Sequence, residues 1–335
     1  MTMKVPYSIY NEEDSLRLKR VKKGRGFAYL DENGQKIGDK HKLNRISRLV
    51  IPPMWTDISI SRFDDGHIQA TGRDLKGRKQ YIYHTEWEKI RQEEKFERMA
   101  QFGKALPKLR KRVQKDLKSR GWSKQKVLAL MVAILDETGI RIGNKQYEQE
   151  NQTYGLTTLR RRHLNVEGQA LTFSYKGKSN KEREVTIEDS SLVRHIKRVA
   201  ELPGYQLFKY VDADGQVNQV DSQDVQEYIK RNMGEEFSCK DFRTWVGSRL
   251  TIELYPEAVE HKVQFPRKKL ESLLVCMVAD ELGNTPSVCR GYYIHPLILT
   301  KVDVGELPLK NPFRASKSPN ALDKSEKLLL KLLEK

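Results

Sequence analysis

Five side chains able to handle an oxyanion stand in distinctive local contexts. Arg141 lies in Thr138-Gly139-Ile140-Arg141-Ile142-Gly143-Asn144, and Lys178 follows a hairpin pattern. Arg243 lies in Lys240-Asp241-Phe242-Arg243-Thr244-Trp245, while Asn284 and Tyr293 share one stretch from Leu282 to Tyr293. Each has an ordinary reading when taken alone. A basic residue near a helix C-terminus, such as Arg141, complements the helix dipole. Lys178 reads equally as a solvated turn residue and Arg243 as a helix-surface ion-pair partner. Asn284 after Gly283 resembles a helix C-cap, and Tyr293 could pack in a core.

Other chemistries lose support. Gly177-Lys178-Ser179 ends like a phosphate-cradling loop, but Thr172 stands where the first glycine of that motif belongs, so an ATP site is not expected. No HExxH, GxSxG or paired-carboxylate pattern occurs, and the seven histidines are scattered. His163 and His195 read as structural. Cys239, Cys276 and Cys289 are odd in number and lack CxxC spacing. They support neither a disulfide framework nor a zinc site, which suits a reducing compartment. No cofactor and no metal are expected.

The charge balance narrows the partner. Lys+Arg total 62 and Asp+Glu 45, leaving a net +17 on 335 residues with 38% hydrophobic content. That is too apolar for a disordered basic tail, and the surplus implies a polyanionic partner. Apolar runs such as Leu273 to Ala279 are far short of the roughly 20 residues that cross a bilayer. No segment reads as a signal peptide. Nucleic acid is therefore preferred over a membrane.

The elements that must position these residues follow from periodicity. Up to about residue 88 the chain reads as β-rich, with strands at Phe27–Leu30, Ile58–Phe63, His67–Thr71 and Lys79–His84. Ile51-Pro52-Pro53 marks a loop. Thr85 and Glu88 form a capping-box pattern for a helix from Glu86. Lys104–Arg120 holds eight basic residues and one acid, so it is either a cationic wall or a solvated face. Ser123 caps a helix that stops at Gly139. Leu164–Val166 and Ala170–Tyr175 form a hairpin around Glu167-Gly168. Asp189–Ala200, Ser222–Asn232, Cys239–Tyr255 and Arg267–Leu282 read as helices, and Ser316–Lys335 as a helix or loose tail. The expected fold is α+β: a small β-rich domain (1–88), a larger mainly helical domain with one small sheet (89–310), and a charged C-terminal tail (311–335).

From about residue 27 to 300 these segments resemble the type IB DNA topoisomerases, in the short poxvirus-like and bacterial branch. The motifs run in the family's order: the Arg141 box, Tyr154-Gly155-Leu156-Thr157-Thr158-Leu159-Arg160, Gly177-Lys178-Ser179, Lys240 to Trp245, and the tyrosine box. Upstream, Gly66 to Asp74 and Gly77-Arg78-Lys79-Gln80-Tyr81 are similar to the family's N-terminal domain. One box is weak; five in order are specific.

The resemblance implies a fold of the tyrosine recombinase and topoisomerase IB kind and a transesterification without metal or ATP. Tyr293 would attack a backbone phosphodiester, giving a 3′-phosphotyrosyl link and a free 5′-hydroxyl that later religates. Arg141, Arg243 and Asn284 would stabilise the non-bridging oxygens. Lys178 would protonate the leaving oxygen, with Lys240 supplying charge nearby or assisting the transfer. The poxvirus branch has His where Asn284 stands, so an uncharged donor replaces a charged one. Tyr292 and Tyr293 are adjacent, and counting nine residues from Asn284 selects Tyr293. Tyr81 and Tyr83 fall on one strand face. With Arg78, Lys79 and Gln80 they would read duplex DNA in the major groove, or else simply pack across strands. Tyr147 is carried over as a phosphate contact. The implied protein is a monomer that clamps duplex DNA, is not secreted, and resides in a bacterial cytoplasm and nucleoid or in a virion or viral factory. The rivals are a tyrosine recombinase and a non-enzymatic architectural DNA-binding protein. Lys240 replaces the His that usually opens the recombinase box, and the β-rich start is unlike the usual helical recombinase domain.

Overall fold

In the computed structural model of the protein, residues 15–310 and 320–334 are described. The chain divides into two compact units, one ending at Lys95 and one starting at Phe96. The first is built on a five-stranded antiparallel sheet. Its strands are β1 (Leu18–Lys23), β2 (Gly26–Leu30), β3 (Thr56–Ile60), β4 (Ile68–Arg73) and β5 (Lys79–Tyr83), in the order β2-β1-β3-β4-β5. Helix α1 (Lys40–Arg48) lies between β2 and β3 in the chain and buries Ile46 beside Leu18, Ile37, Ile58, Ile60 and Ala70. The β4–β5 turn needs Gly77, whose φ is +74°. Asp74 organises that turn, accepting from the backbone N–H of Lys76 and Arg78 at 3.0 and 3.1 Å.

Helix α2 (Thr85–Glu97) spans the division. The expected Thr85 cap is displaced by one residue. The helix includes Thr85, and His84 Nδ1 accepts from Glu86 N–H at 3.2 Å. A ring nitrogen thus does what the hydroxyl was expected to do.

The second unit is mainly helical, so the α+β class holds. Its elements are α3 (Met99–Leu117), α4 (Lys124–Thr138), α5 (Lys145–Asn151), then β6 (Leu164–Glu167), β7 (Ala170–Lys176) and β8 (Glu182–Ile187) in one antiparallel sheet. There follow α6 (Ser190–Ala200), the short hairpin β9 (Lys209–Val211) and β10 (Val217–Gln219), α7 (Ser222–Met233) and α8 (Cys239–Glu253). The chain continues with α9 (Tyr255–Gln264), α10 (Leu270–Leu282), α11 (Pro286–Tyr292), α12 (Pro296–Asp303) and α13 (Lys324–Leu333). Helix α4 is bounded as its sequence requires: Ser123 accepts from Lys126 N–H, and Gly139 closes it in the left-handed region at φ +60°. Its Val127, Leu130, Met131, Ile134 and Leu135 are fully buried at the centre of the core.

Several expectations change. The helix expected over Cys239–Tyr255 ends at Glu253, and Pro256 restarts the chain as α9, because proline suits the first turn of a new helix. The basic run Lys104–Arg120 lies largely on α3 and is amphipathic rather than uniformly solvated. Leu106, Leu109, Val113 and Leu117 face the core, and Arg110 is half-enclosed by two carboxylates. Of the C-terminal segment, 311–319 lie outside the described residues. The rest is not a loose tail: α13 buries Leu329 completely and Glu326 to 1% exposure. Cys239 and Cys289 are buried, Cys276 is exposed, and all three are free thiols.

Candidate active site

The site is assembled at the C-terminal end of α10. The last carbonyls of a helix lack intrahelical donors, and here arginines supply them. Arg183 donates to Asp280 O (2.9 Å) and Glu281 O (2.7 Å), Arg243 to Leu282 O (2.8 Å), and Arg141 to Gly283 O (3.1 Å). Four consecutive carbonyls thereby fix three guanidiniums, and the negative end of the helix dipole favours their charge.

Each arginine reaches this place by a different route. Arg141 follows the Gly139 turn, and its backbone is clamped by the Tyr154–Arg160 box. Leu156 N–H donates to Arg141 O at 2.8 Å, and Thr157 N–H to Ile142 O at 2.7 Å. The two backbones touch closely enough that a Cβ on Gly155 would lie 2.6 Å from Gly143 N. That box acts as scaffold for the arginine. Arg243 stands in the first turns of α8, 5% exposed, and also donates to Gly139 O.

Tyr293 is the C-cap of α11. Its carbonyl packs on α8, where a Cβ on Gly247 would sit 2.6 Å away. Ser248 Oγ donates to the same oxygen (3.4 Å) and accepts from His295 N–H (2.9 Å). The Tyr293 ring lies under Arg243, with the guanidinium carbon 4.9 Å from the ring centroid. Tyr292 is the last residue of α11 itself.

Asn284 completes the group. Its Oδ1 accepts from Arg141. Because guanidinium can only donate, this fixes the amide orientation. Nδ2 then remains a buried donor with no hydrogen-bond partner, as does Arg243 Nε. Among the described residues no carboxylate lies within ion-pair distance of Arg141 or Arg243. Burial, then the neighbouring charge of Arg243, pushes the Arg141 guanidinium down to about 10, still cationic at neutral pH. Burial likewise lowers Arg243. The site therefore presents buried positive charge and orphaned donors with no internal anion to receive them, which is the arrangement a bound oxyanion would satisfy.

The structure thus unites Arg141, Arg243, Asn284 and Tyr293. Lys178 and Lys240 are exposed and hydrogen-bond to none of these four. Lys178 sits in the tight β7–β8 turn, before Ser179 and Asn180 at φ +65° and +57°. Lys240 occupies the first turn of α8. Arg183 belongs to the cluster but was missed. It stands in Glu182–Ile187, a charged strand with no signal for it in sequence.

In the first unit, Tyr81 and Tyr83 are exposed on one face of edge strand β5, rings stacked 5.9 Å apart, with Lys79 Nζ 5.5 Å over Tyr81. Arg78 and Gln80 instead hold Asp74, at 2.7 and 3.0 Å. The Arg78 interaction and the turn amides hold the Asp74 carboxyl down at about 2. Tyr147 is in α5, with its side chain outside the described residues.

A model of the eukaryotic DNA topoisomerase I catalytic core matches residues 84–301, and one of the bacterial DNA topoisomerase IB N-terminal domain matches 26–74. This chain belongs to the type IB DNA topoisomerases. It is 32% identical over 283 residues to the DNA topoisomerase 1B of Acanthamoeba polyphaga mimivirus, covering 82% of this chain and 84% of that one. It is 25% identical over 236 residues to the DNA topoisomerase I of Monkeypox virus and to the DNA topoisomerase 1B of Vaccinia virus, strain Copenhagen, covering 69% of this chain and 71% of each relative. The family match spans all the residues gathered in this enzyme's arginine cluster. No helix among the described residues of the topoisomerase is long and apolar enough to cross a membrane.

Proposed function

We propose that this topoisomerase relaxes supercoiled duplex DNA by cutting and resealing one strand through Tyr293. Its phenol oxygen attacks a backbone phosphorus. The bond to the 5′-oxygen breaks, and a 3′-phosphotyrosyl link forms. The link keeps the energy of the phosphodiester, so the reverse attack by the 5′-hydroxyl reseals the strand without a nucleotide. The observation that carries this reading is the union of Tyr293 with buried Arg243, half-buried Arg141 and an unpartnered amide donor, with no carboxylate beside them among the described residues.

In the transition state negative charge grows on the non-bridging oxygens. Arg141, Arg243 and Asn284 Nδ2 are preorganised donors for it. Lys178 donates the proton that the departing 5′-oxygen needs, and Lys240 adds charge beside that transfer. Tyr81, Tyr83 and Lys79 contact DNA from the first unit, Arg78 and Gln80 after release from Asp74, and Tyr147 holds a phosphate. The units act as a DNA-binding domain and a cleavage-religation domain in one monomeric chain.

Incubation of the chain with supercoiled plasmid should give relaxation that persists in EDTA and without ATP. Trapping on radiolabelled duplex should yield a protein–DNA adduct that maps to Tyr293 and disappears in Tyr293→Phe, while DNA binding remains. An adduct lost only in Tyr292→Phe would move the nucleophile by one residue. A need for a specific site and synapsis would point to a recombinase.

A further inference from the structure

We propose that Arg183 is a positioning residue for strand cleavage: it ties the Lys178 hairpin to the turn that presents Asn284. This rests on the roles given above to Lys178 and Asn284. Lys178 is exposed and held by no hydrogen bond of its own to the cluster. Something else must fix where its ammonium can reach.

Arg183 has the geometry for that task. It sits on β8, opposite Tyr175 on β7, so its backbone belongs to the hairpin that ends in Gly177-Lys178. Its side chain leaves the sheet towards the end of α10. Its two terminal nitrogens reach Asp280 O and Glu281 O at the end of α10, 97 and 98 residues away in the chain. Two glycines leave room for it. A Cβ on Gly283, the residue before Asn284, would lie 2.1 Å from Arg183 Nε. A Cβ on Gly177, the residue before Lys178, would lie 2.8 Å from Arg183 Cγ. The side chain is therefore wedged between the residues that precede the general acid and the amide donor. A guanidinium suits this because its rigid fork can hold two carbonyls at once, which a lysine cannot do.

The test has two arms, run on the full chain. In the first, limited trypsin digestion without DNA probes the hairpin. Arg183→Ala should open cleavage after Lys176, Lys178 or Lys181, where the parent chain resists. Unchanged digestion would overturn the tether, whatever Lys178 does chemically. In the second, single-turnover cleavage is measured with an ordinary duplex and with one carrying a 5′-bridging phosphorothiolate, whose leaving group needs no acid. Arg183→Ala should slow ordinary cleavage by about 10²-fold, the scale of an ångström-sized misplacement. The thiolate duplex should restore its rate as it does for Lys178→Ala, and the double variant should be no slower than Lys178→Ala alone. If Lys178→Ala is rescued but Arg183→Ala is not, Arg183 acts on the phosphate directly and the positioning role is refuted. If Lys178→Ala is itself not rescued, the general-acid reading fails and the digestion arm alone decides the tether. Should Arg183→Ala fail to fold, Arg183→Gln, which keeps a donor but not the fork, should show the same pattern at smaller amplitude.

Discussion

Two buried arginine clusters in the helical unit make opposite use of the same side chain. On α3, Arg110 is gripped by Asp136 at 2.6 and 3.0 Å and by Glu326 at 2.6 and 2.9 Å. Those carboxylates outweigh the desolvation of Arg110 and hold it above its ordinary range. Arg141 is half-buried and Arg243 buried, yet among the described residues their partners are carbonyls, the Asn284 amide oxygen and Tyr293, and burial drives both down. A cation whose anion is internal serves stability. A buried cation without one costs stability, a cost that the phosphate proposed above would relieve.

Replacing each arginine by alanine should separate the two uses. Arg243→Ala should slow cleavage by about 10²–10³-fold, the usual loss for one oxyanion donor. Its melting temperature should fall less than that of Arg110→Ala, since it strands two carbonyls but no buried counter-charge. An equal drop in melting temperature would erase the contrast. Arg110→Ala should do the reverse. It strands Asp136 and Glu326 and should cost about 3–5 kcal/mol in a denaturant titration, the range for breaking one partner from a buried pair. Cleavage measured below its melting temperature should stay close to the parent rate. Asn284→Ala removes a neutral donor and should cost about 1.5–3 kcal/mol of barrier, or roughly 10–100-fold in single-turnover rate.

A pH titration sharpens the structural side. Arg110 and the Trp245 indole hold the Glu326 carboxyl down at about 2 against their burial of it, below the ordinary 4.5. The unfolded chain takes up that proton first as pH falls. The contribution is therefore whole above about pH 4.5 and is lost as pH drops towards 2. Glu326→Gln should flatten this part of the stability curve. An equally steep loss in that variant would place the acid sensitivity elsewhere.

Much of the frame could be read locally. Ser123 and Gly139 bound α4 through capping chemistry, and β2 to β5 follow from aromatic and β-branched residues between turn residues. The five ordered boxes marked Arg141, Arg243, Asn284 and Tyr293, which the fold then gathers. Helices α11 and α12 were not read, although Thr285-Pro286 and His295-Pro296 carry a cap followed by proline at the first helical turn. Strands β1 and β8 and helix α1 were passed over because charged side chains dilute their periodicity. Nothing local distinguishes Arg183 from a solvated strand arginine, nor Arg110 from the other cations of its run.

By itself the amino-acid sequence determined the family, the charge that suits a polyanion, and the chemical types available for phosphoryl transfer. Those depend on composition and on motifs a few residues long. Only the tertiary structure decided which cations are paired and which wait unpaired, and that one helix end gathers three arginines from β8, α8 and the loop after α4. Charge pairing is a matter of distance in space. The ion pair between Arg110 and Glu326 joins positions 216 residues apart, and no local pattern encodes a partner that far away.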